Sequence, residues 1–309
     1  MSLEGSGRTP LVEIVPNFSE GRRPEVIDAI LEACRVPGVR MLTWQADPDH
    51  NRLDASLVGS PEAVRRSALS CAAKAAELID MEQHHGNHPR MGAVDVIPFL
   101  PIRDISMDEC VDLAREVAKE IGETLGIPVY CYDHAALTPE RQSLADVRKG
   151  EYEGLKADVA EGRRLPDFGP HEIGGAGATA VGARKPLVAF NVYLDGTDES
   201  AAKEIARGVR ESSGGLPALR AIAFRVPERG GIVTVSMNLV DHEVTGLRAA
   251  FDAVAERAEA RGMRIAESEI VGLVPGSALA SGDVEYLRLA GFEPEKQILE
   301  RLVAATEGE

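Results

Sequence analysis

The residues best suited to chemistry are concentrated in one short polar segment. Residues 84–90, here called the histidine loop, contain three of the chain's seven histidines, together with glycine, proline and arginine. Glycine and proline at these positions predict a loop and not a regular helix. An apolar run at residues 94–100 follows and carries one carboxylate, Asp95. Because loops held by buried strands commonly present catalytic side chains, we expect the chemistry here.

The histidine loop has three interpretations from its residues alone: a solvated polar loop, a zinc site, or the position of one acid/base histidine. Zinc is disfavoured because neighbouring His84 and His85 point apart in most backbones and no HExxH pattern is present. No metal is therefore expected. His88 is the best candidate for acid/base catalysis, since Pro89 restricts its backbone to extended geometry. Arg90 is placed to hold an anionic substrate by a bidentate contact.

Three other segments are candidates for ligand binding. The glycine-rich stretch at residues 169–177 allows close backbone approach to a flat heterocycle, or is simply a linker. Its formal match to a G-x-G-x-x-A dinucleotide fingerprint lacks the required strand before it and helix after it. The loops at residues 17–21 and 47–52 follow predicted strands, where ligand groups gather, although turn formation alone explains their composition equally well.

Hydrophobic periodicity and turn signals predict the elements that position these segments. In the first half they predict strands at residues 11–16, 39–44, 53–58, 94–100 and 127–132 and helices at 24–33, 62–79 and 138–147. A capping box at Ser106 and Glu109 predicts a further helix, ending near residue 125. In the second half they predict strands at residues 186–194, 218–226, 231–239 and 264–274 and helices at 198–211 and 243–261.

Both halves thus contain the order strand, helix, strand, strand, helix, strand, which is the ferredoxin-like βαββαβ unit. The predicted fold class is α/β (α+β), with two such sandwich subdomains and a cleft between them. The predicted domains are residues 1–183 and 184–309, and residues 149–182 are predicted to be the crossing between them.

Composition limits the function classes. The 309 residues, 44% hydrophobic, suffice for two domains with their own cores. A net charge of −16 without any basic block argues against nucleic-acid binding. No apolar run approaches the roughly 20 residues of a membrane helix. The four scattered cysteines form no zinc spacing, which favours reduced, buried thiols in a cytoplasmic protein.

Several motifs together resemble the glutamate formimidoyltransferase (formiminotransferase) family. The matching segments, in family order, are VPNFSEG at residues 15–21, DPDHNR at 47–52, HPRMGAVDVIPF at 88–99, GEYE at 150–153, PDFGP at 166–170 and GATAVGARK at 177–185. The resemblance covers residues 11–280. It is most specific at the opening motif and at the block that begins with His88.

The resemblance implies a two-lobed fold and transfer of a formimino group from N-formimino-L-glutamate to N5 of tetrahydrofolate, in histidine degradation. The family's catalytic histidine corresponds to His88. Its folate-contacting stretch corresponds to Gly169, Pro170, His171, Glu172, Ile173, Gly174, Gly175, Ala176 and Gly177. The resemblance also implies a monofunctional enzyme that acts as a homodimer and leaves its product to a separate cyclodeaminase.

Other residues are expected to support this reaction. Asp95 is a candidate to orient His88 or to stabilise the amidinium, from proximity alone. Arg90, Arg52 and Asn51 are candidates to bind substrate carboxylates, and Asn17 is a further supporting candidate. Two alternatives stay open: a relative that uses another formimino donor or handles 5-formyltetrahydrofolate, and a folate-binding protein without turnover.

Overall fold

Two separate β-sheets, each with its own hydrophobic core, organise the chain in the computed structural model, which describes residues 9–307. The first unit ends at Arg184 and the second begins at Lys185. Both combine helices with a sheet, which confirms the predicted mixed α/β class. In the described part of the chain no helix has the length and apolar character needed to cross a membrane.

The first unit contains a seven-stranded sheet and five α-helices within residues 9–184. The strands are β1 Leu11–Ile14, β2 Asn17–Phe18, β3 Val39–Asp47, β4 Arg52–Gly59, β5 Val94–Arg103, β6 Val129–Asp133 and β7 Thr179–Ala183. The helices are α1 Pro24–Cys34, α2 Pro61–Leu78, α3 Met107–Glu120, α4 Leu144–Val147 and α5 Glu151–Ala160.

The topology of this sheet contains the ferredoxin-like unit and extends it. Strands β1 and β2 both lie antiparallel between β4 and β5, and β3 pairs with β4 at one edge. Strand β7 adds to β5 in parallel, and β6 adds to β7 in parallel. The extension places β5, which carries Asp95, in the interior of the sheet, where Asp95 has no solvent exposure.

Local sequence signals explain most of these elements. Ser60 caps α2 by accepting a hydrogen bond from the Ala63 amide, and Pro61 occupies the first helical turn, where its missing N–H is not needed. The capping box of Ser106 and Glu109 is present at the start of α3 and confirms that prediction. All four cysteines are buried free thiols.

The prediction that residues 149–182 only cross between domains is wrong. This stretch contains α5 and the interior strand β7, and the predicted helix at 138–147 is reduced to a 3-10 turn and the short α4. Strand β7 reads Thr-Ala-Val-Gly-Ala, in which alanine and glycine disfavour a strand while Thr and Val favour one, and it forms because both of its edges are paired. The strand has only five residues and no alternation of apolar and polar side chains, so the sequence pattern did not predict it.

The second unit is a four-stranded antiparallel sheet in the order β11-β8-β10-β9, which is the ferredoxin-like order. Its strands are β8 Val188–Leu194, β9 Leu219–Val226, β10 Ile232–Leu239 and β11 Ile265–Val271. Its helices are α6 Glu199–Val209, α7 Leu247–Glu259, α8 Asp283–Tyr286, α9 Pro294–Gln297 and α10 Leu299–Glu307. The predicted elements of the second half are all present, within a few residues at their ends.

Candidate active site

A fully buried carboxylate shared by two arginines forms the centre of the candidate site. Arg52, the first residue of β4, donates from Nη1 to Asp95 Oδ2 at 3.0 Å. Arg148, just after α4, donates from Nη2 to the same oxygen. The Met91 amide donates to Asp95 Oδ1 at 2.9 Å. Each oxygen of Asp95 therefore has a donor, as a buried carboxylate requires.

The charge balance of this cluster is positive. Burial alone raises the pKa of Asp95, but Arg148, Arg52 and the Met91 amide together lower it below the ordinary value, so the carboxylate is ionised. Burial lowers the pKa of Arg52, while Asp95 and, after it, Asp54 oppose that effect. Two cations thus share one hydrogen-bonded anion, Asp95, at side chains that are only 11% and 14% exposed.

Asn17 fixes the orientation of the Arg52 guanidinium. Its Oδ1 accepts from Arg52 Nε at 3.0 Å and from Arg52 Nη2 at 2.7 Å, and its Nδ2 donates to the Val15 carbonyl at 2.7 Å. The sequence candidates Asn17, Arg52 and Asp95 therefore lie in one hydrogen-bonded network. The short strand β2 supplies the asparagine, which explains its place in the VPNFSEG motif.

The half-buried imidazole of His88 lies against this network. Its Nδ1 is 2.6 Å from the Pro89 carbonyl oxygen and 3.0 Å from Arg52 Nη1. Arginine has no acceptor, and the carbonyl has no donor, so one protonation state of Nδ1 cannot satisfy both contacts. We assign the proton to Nδ1, donated to Pro89, because this contact is shorter and Arg52 Nη1 already has an acceptor in Asp95. Nε2 then keeps its lone pair.

His88 is held in its neutral form. Burial lowers its pKa, Arg52 and Arg148 lower it further, and the Pro89 carbonyl and Asp95 oppose them; the result is a pKa of about 4 instead of 6.5. Asp95 acts on His88 through Arg52, which contacts both residues. At neutral pH the ring is therefore an unprotonated base with Nε2 as its free nitrogen.

This protonation state gives a direct prediction. In a ¹H–¹³C NMR titration of histidine-labelled protein, assigned with His88→Asn, the His88 ring is expected to titrate at about pH 4. The ring stays neutral above that value because burial disfavours its charged form and because protonation places a third positive charge beside Arg52 and Arg148. A midpoint near 6.5 would show that neither burial nor the two guanidinium groups act on His88.

Arg90 has partners different from those expected. It is 7% exposed and donates from Nη1 to Glu151 Oε2 at 2.9 Å and from Nη2 to Glu153 Oε1 at 2.7 Å. Its Nε donates to His84 Nδ1 at 3.3 Å. This arginine fastens the histidine loop to α5, and the geometry gives no support for the expectation that it holds a substrate anion.

Asn51 likewise has both ends of its amide occupied. Its Oδ1 accepts from the Gly21 amide at 2.9 Å and its Nδ2 donates to the His85 carbonyl at 3.0 Å. Its φ of 51° lies in the left-handed region that asparagine tolerates. Asn51 therefore ties three loops together, and carboxylate binding by its side chain has no support in this geometry.

The glycine segment, residues 169–177, runs directly beside the histidine loop and its following strand. The Met81 amide donates to the Gly175 carbonyl at 2.7 Å, and the Ala93 amide donates to the Ala176 carbonyl at 2.8 Å. Gly177 has a φ of 72°, and a Cβ there would lie 2.4 Å from the Met91 carbonyl oxygen. Only glycine permits this approach, so Gly177 is required by packing.

The exposed part of the glycine segment is Pro170, His171, Glu172, Gly174 and Gly175, whereas Ile173 is buried at 4% exposure. A Cβ on Gly174 would meet nothing within 4 Å, and one on Gly175 would meet only Asp80 Oδ1, at 3.1 Å. Asp80 also lines a cavity of about 390 Å³ with Arg22, Arg23 and His84. The segment therefore offers bare backbone to a ligand, close to the histidine loop.

Arg148 was not predicted from the sequence. Its backbone is held from both sides: Arg164 donates to the carbonyls of Val147 and Lys149, at 2.5 and 2.6 Å, and the Glu151 amide donates to the Arg148 carbonyl at 2.8 Å. The only available signal was its position two residues before the GEYE motif. A metal site is not indicated, since no group of three His, Cys, Asp or Glu side chains within residues 9–307 is arranged to hold an ion.

Comparisons with known proteins agree with these features. The sequence profile described as Formiminotransferase domain, N-terminal subdomain, matches residues 11–184, and the profile Formiminotransferase domain matches residues 189–303. Glutamate formimidoyltransferase of Streptococcus pyogenes serotype M1 is 44% identical over 94% of this chain and 97% of its own length. The protein of that name from Thermoplasma acidophilum is also 44% identical, over 94% of this chain and 96% of its own.

A longer relative shows the same similarity over part of its length. Formimidoyltransferase-cyclodeaminase of Sus scrofa is 41% identical over 95% of this chain, which spans 60% of that protein. The two profiles together cover nearly the whole chain, and each of them falls within one of the two units described above. The chain belongs to the formiminotransferase family.

Proposed function

We propose that this chain is a glutamate formimidoyltransferase, which transfers the formimino group of N-formimino-L-glutamate to N5 of tetrahydrofolate and releases L-glutamate. The observation that carries the proposal is the neutral His88 imidazole with a free Nε2, held beside two guanidinium groups and next to the exposed glycine segment. Family membership supports the reaction, and so does the 44% identity, over nearly the full length of both chains, to proteins named glutamate formimidoyltransferase.

The reaction needs one proton to move between two nitrogens. A bond forms between N5 of the pterin and the formimino carbon, the bond from that carbon to the glutamate nitrogen breaks, and the N5 proton must reach the leaving amine. His88 Nε2 accepts the proton from N5 and then donates it to the glutamate nitrogen. Because the pKa of His88 is low, its protonated form is a strong acid, which favours release of the amine.

The remaining catalysis comes from alignment. Gly174 and Gly175 expose backbone on which the flat pterin can lie, and hydrogen bonds from the Met81 and Ala93 amides fix this segment to the residues on either side of the histidine loop. Tetrahydrofolate is the co-substrate, and we propose that no metal takes part. Activity that disappears with a chelator would contradict the metal-free mechanism.

The direct test is a tetrahydrofolate-dependent assay with N-formimino-L-glutamate that measures glutamate release. Formation of glutamate only when both substrates are present is the expected result. Turnover with other formimino donors but not with this one, or turnover of 5-formyltetrahydrofolate, would favour the alternative one-carbon reactions. Tetrahydrofolate binding without any product would favour a non-catalytic folate-binding protein.

Replacement of Gly175 by valine tests the proposed folate segment. We expect weaker tetrahydrofolate binding, because a branched side chain covers the exposed backbone while its only neighbour, the Asp80 carboxylate, can move aside. Fluorescence titration with tetrahydrofolate measures the dissociation constant. A suitable control is Gly154→Val, outside the glycine segment, since a Cβ on Gly154 meets nothing within 4 Å. Unchanged affinity in Gly175→Val would show that the segment is only a linker.

We also propose, from the family resemblance, a cytoplasmic homodimer whose product passes to a separate cyclodeaminase. The domain division proposed from the sequence, residues 1–183 and 184–309, is part of the same proposal. Sedimentation velocity of the purified protein tests the assembly state, and a monomer at micromolar concentration would contradict the dimer.

A further inference from the structure

The two guanidinium groups beside His88 share one hydrogen-bonded carboxylate. Arg52 and Arg148 both pair with Asp95, and the charge of Asp54 acts in addition on Arg52. Within residues 9–307, Nη2 is the single guanidinium nitrogen of Arg148 with an acceptor, and its buried Nε has none. A buried N–H without an acceptor is unfavourable, so Arg148 is arranged for a further negative group.

We propose that Arg148 and Arg52 together form a subsite for the α-carboxylate of the donor substrate, next to the His88 imidazole. This inference rests on the proposed formimino transfer and adds to it a substrate-binding role for Arg148. Planar guanidinium groups suit a carboxylate because they donate parallel hydrogen bonds to its two oxygens. Asp95 accepts a hydrogen bond from each group and holds both in place, but its one negative charge is smaller than their two positive charges.

The reaction chemistry decides which carboxylate fits. In N-formimino-L-glutamate the α-carboxylate and the reacting nitrogen are bonded to the same carbon. His88 must reach that nitrogen, and His88 Nδ1 lies 3.0 Å from Arg52 Nη1. A carboxylate bound by Arg52 and Arg148 is therefore at the correct distance only if it is the α-carboxylate. The glutamate tail of a folate lies beyond the aminobenzoyl ring, far from N5.

The subsite also explains how His88 becomes an effective base. A general base works best when its pKa is near the operating pH, whereas in the free protein the pKa of His88 lies well below neutral pH. The charged groups around this ring are Arg52 from β4, Asp95 from β5 and Arg148 from the segment after α4, and the His50 ring lies 6.2 Å away. An anion on the two arginines opposes their field, so donor binding raises the affinity of His88 for a proton.

The test uses L-glutamate as the probe, because its α-amino group carries a positive charge as the formimino group does. Isothermal titration gives its dissociation constant, and histidine NMR gives the pKa of His88 with and without it. For the wild-type protein we expect saturable binding and a rise of about 1 in that pKa. L-isoglutamine, which lacks the α-carboxylate, is expected to bind weakly and to leave the pKa unchanged. L-glutamine is expected to raise it.

Variants of Arg148 separate binding from folding. Arg148→Met is expected to weaken L-glutamate binding by about 10–100-fold and to raise the pKa of His88 in the free protein, since one cation is removed. Arg148→Lys keeps the positive charge, so the pKa of His88 should stay low, but L-glutamate binding should be restored only in part. Arg163→Met is the matched control, because Arg163 pairs with Asp158 and Glu161 on the surface.

The outcomes distinguish this inference from the proposed reaction. If Arg148→Met and Arg163→Met bind L-glutamate equally well while wild-type protein transfers the formimino group, the subsite is wrong and the reaction stands. Stronger binding of p-aminobenzoyl-L-glutamate than of L-glutamate, lost in Arg148→Met, would assign the arginines to the folate tail and overturn the inference. Absence of L-glutamate binding in the wild-type protein would also overturn it.

Discussion

Replacement of His88 by alanine is expected to lower the rate of formimino transfer by about 10²–10⁴-fold, the usual contribution of a positioned acid/base group. The variant has no group to accept the N5 proton and to protonate the leaving amine, and the guanidinium groups beside it cannot act as bases. Glutamate release under saturating substrates measures this loss. Tetrahydrofolate affinity should remain, because the glycine segment is held by backbone hydrogen bonds that do not involve the imidazole.

The matched control for this experiment is His85→Ala. His85 is exposed and belongs to the same loop, but the hydrogen bonds that Arg22 and Asn51 make there are to its backbone carbonyl, which alanine retains. Near-normal turnover in His85→Ala and strong loss in His88→Ala would assign the proton transfers to His88. Equal loss in both variants would indicate damage to the loop, and near-normal turnover in His88→Ala would remove its imidazole from the mechanism.

Local sequence signals predicted the elements that have strong periodicity or caps. The βαββαβ order was correct in both units, because helices such as α2 combine an N-terminal cap and a proline in the first turn with apolar residues on one face. Strand β7 was not predictable in this way. Three of its five residues are alanine or glycine, which disfavour strands, and its position depends on β5 and β6, which are distant in sequence.

The candidate site was predictable in its residues and not in their pairing. Asn17, Arg52, Asp95 and His88 come together as one network. The polar composition of their loops indicated Asn17, Arg52 and His88, and Asp95 was indicated as the one carboxylate in an apolar strand close to His88 in the sequence. Arg90 shows the limit of such reasoning, since its carboxylate partners come from a helix 61 and 63 residues further along the chain. Long-range ion pairs depend on tertiary packing, which single-sequence patterns do not encode.

Arg148 was missed for the same reason. It lies in a segment without regular periodicity, and its importance comes from the buried Asp95, 53 residues earlier in the chain. Charged residues near loops are common, so neither its type nor its neighbours distinguished it from the nearby Arg163 and Arg164. What distinguishes Arg148 is burial beside a second cation, a property that exists only after β5 and the segment following α4 come together.

The second large effect is expected from Asp95→Ala. Without the carboxylate, Arg52 and Arg148 are left facing each other in a site where they are only 11% and 14% exposed, and the Met91 amide loses its acceptor. Removal of one partner from a buried ion pair typically lowers the free energy of unfolding by about 3–5 kcal/mol. The chain's one tryptophan, Trp44 in β3, reports unfolding of the first unit, so urea titration followed by its fluorescence measures the loss.

Asp158→Ala provides the matched comparison, because Asp158 also pairs with two arginines, Arg163 and Arg164, but at the surface. Its loss should be much smaller, since water screens exposed pairs. The pKa of Asp95 lies below its ordinary value of 3.8 in the folded protein, so its stabilisation is complete above that pH and is lost as the pH falls through the folded pKa. The stability difference between wild type and Asp95→Ala should therefore be constant from neutral pH to about pH 5 and narrow below pH 3.8. Equal losses in the two variants, or a difference that does not respond to acid, would show that Asp95 does not hold the two arginines together as a buried anion.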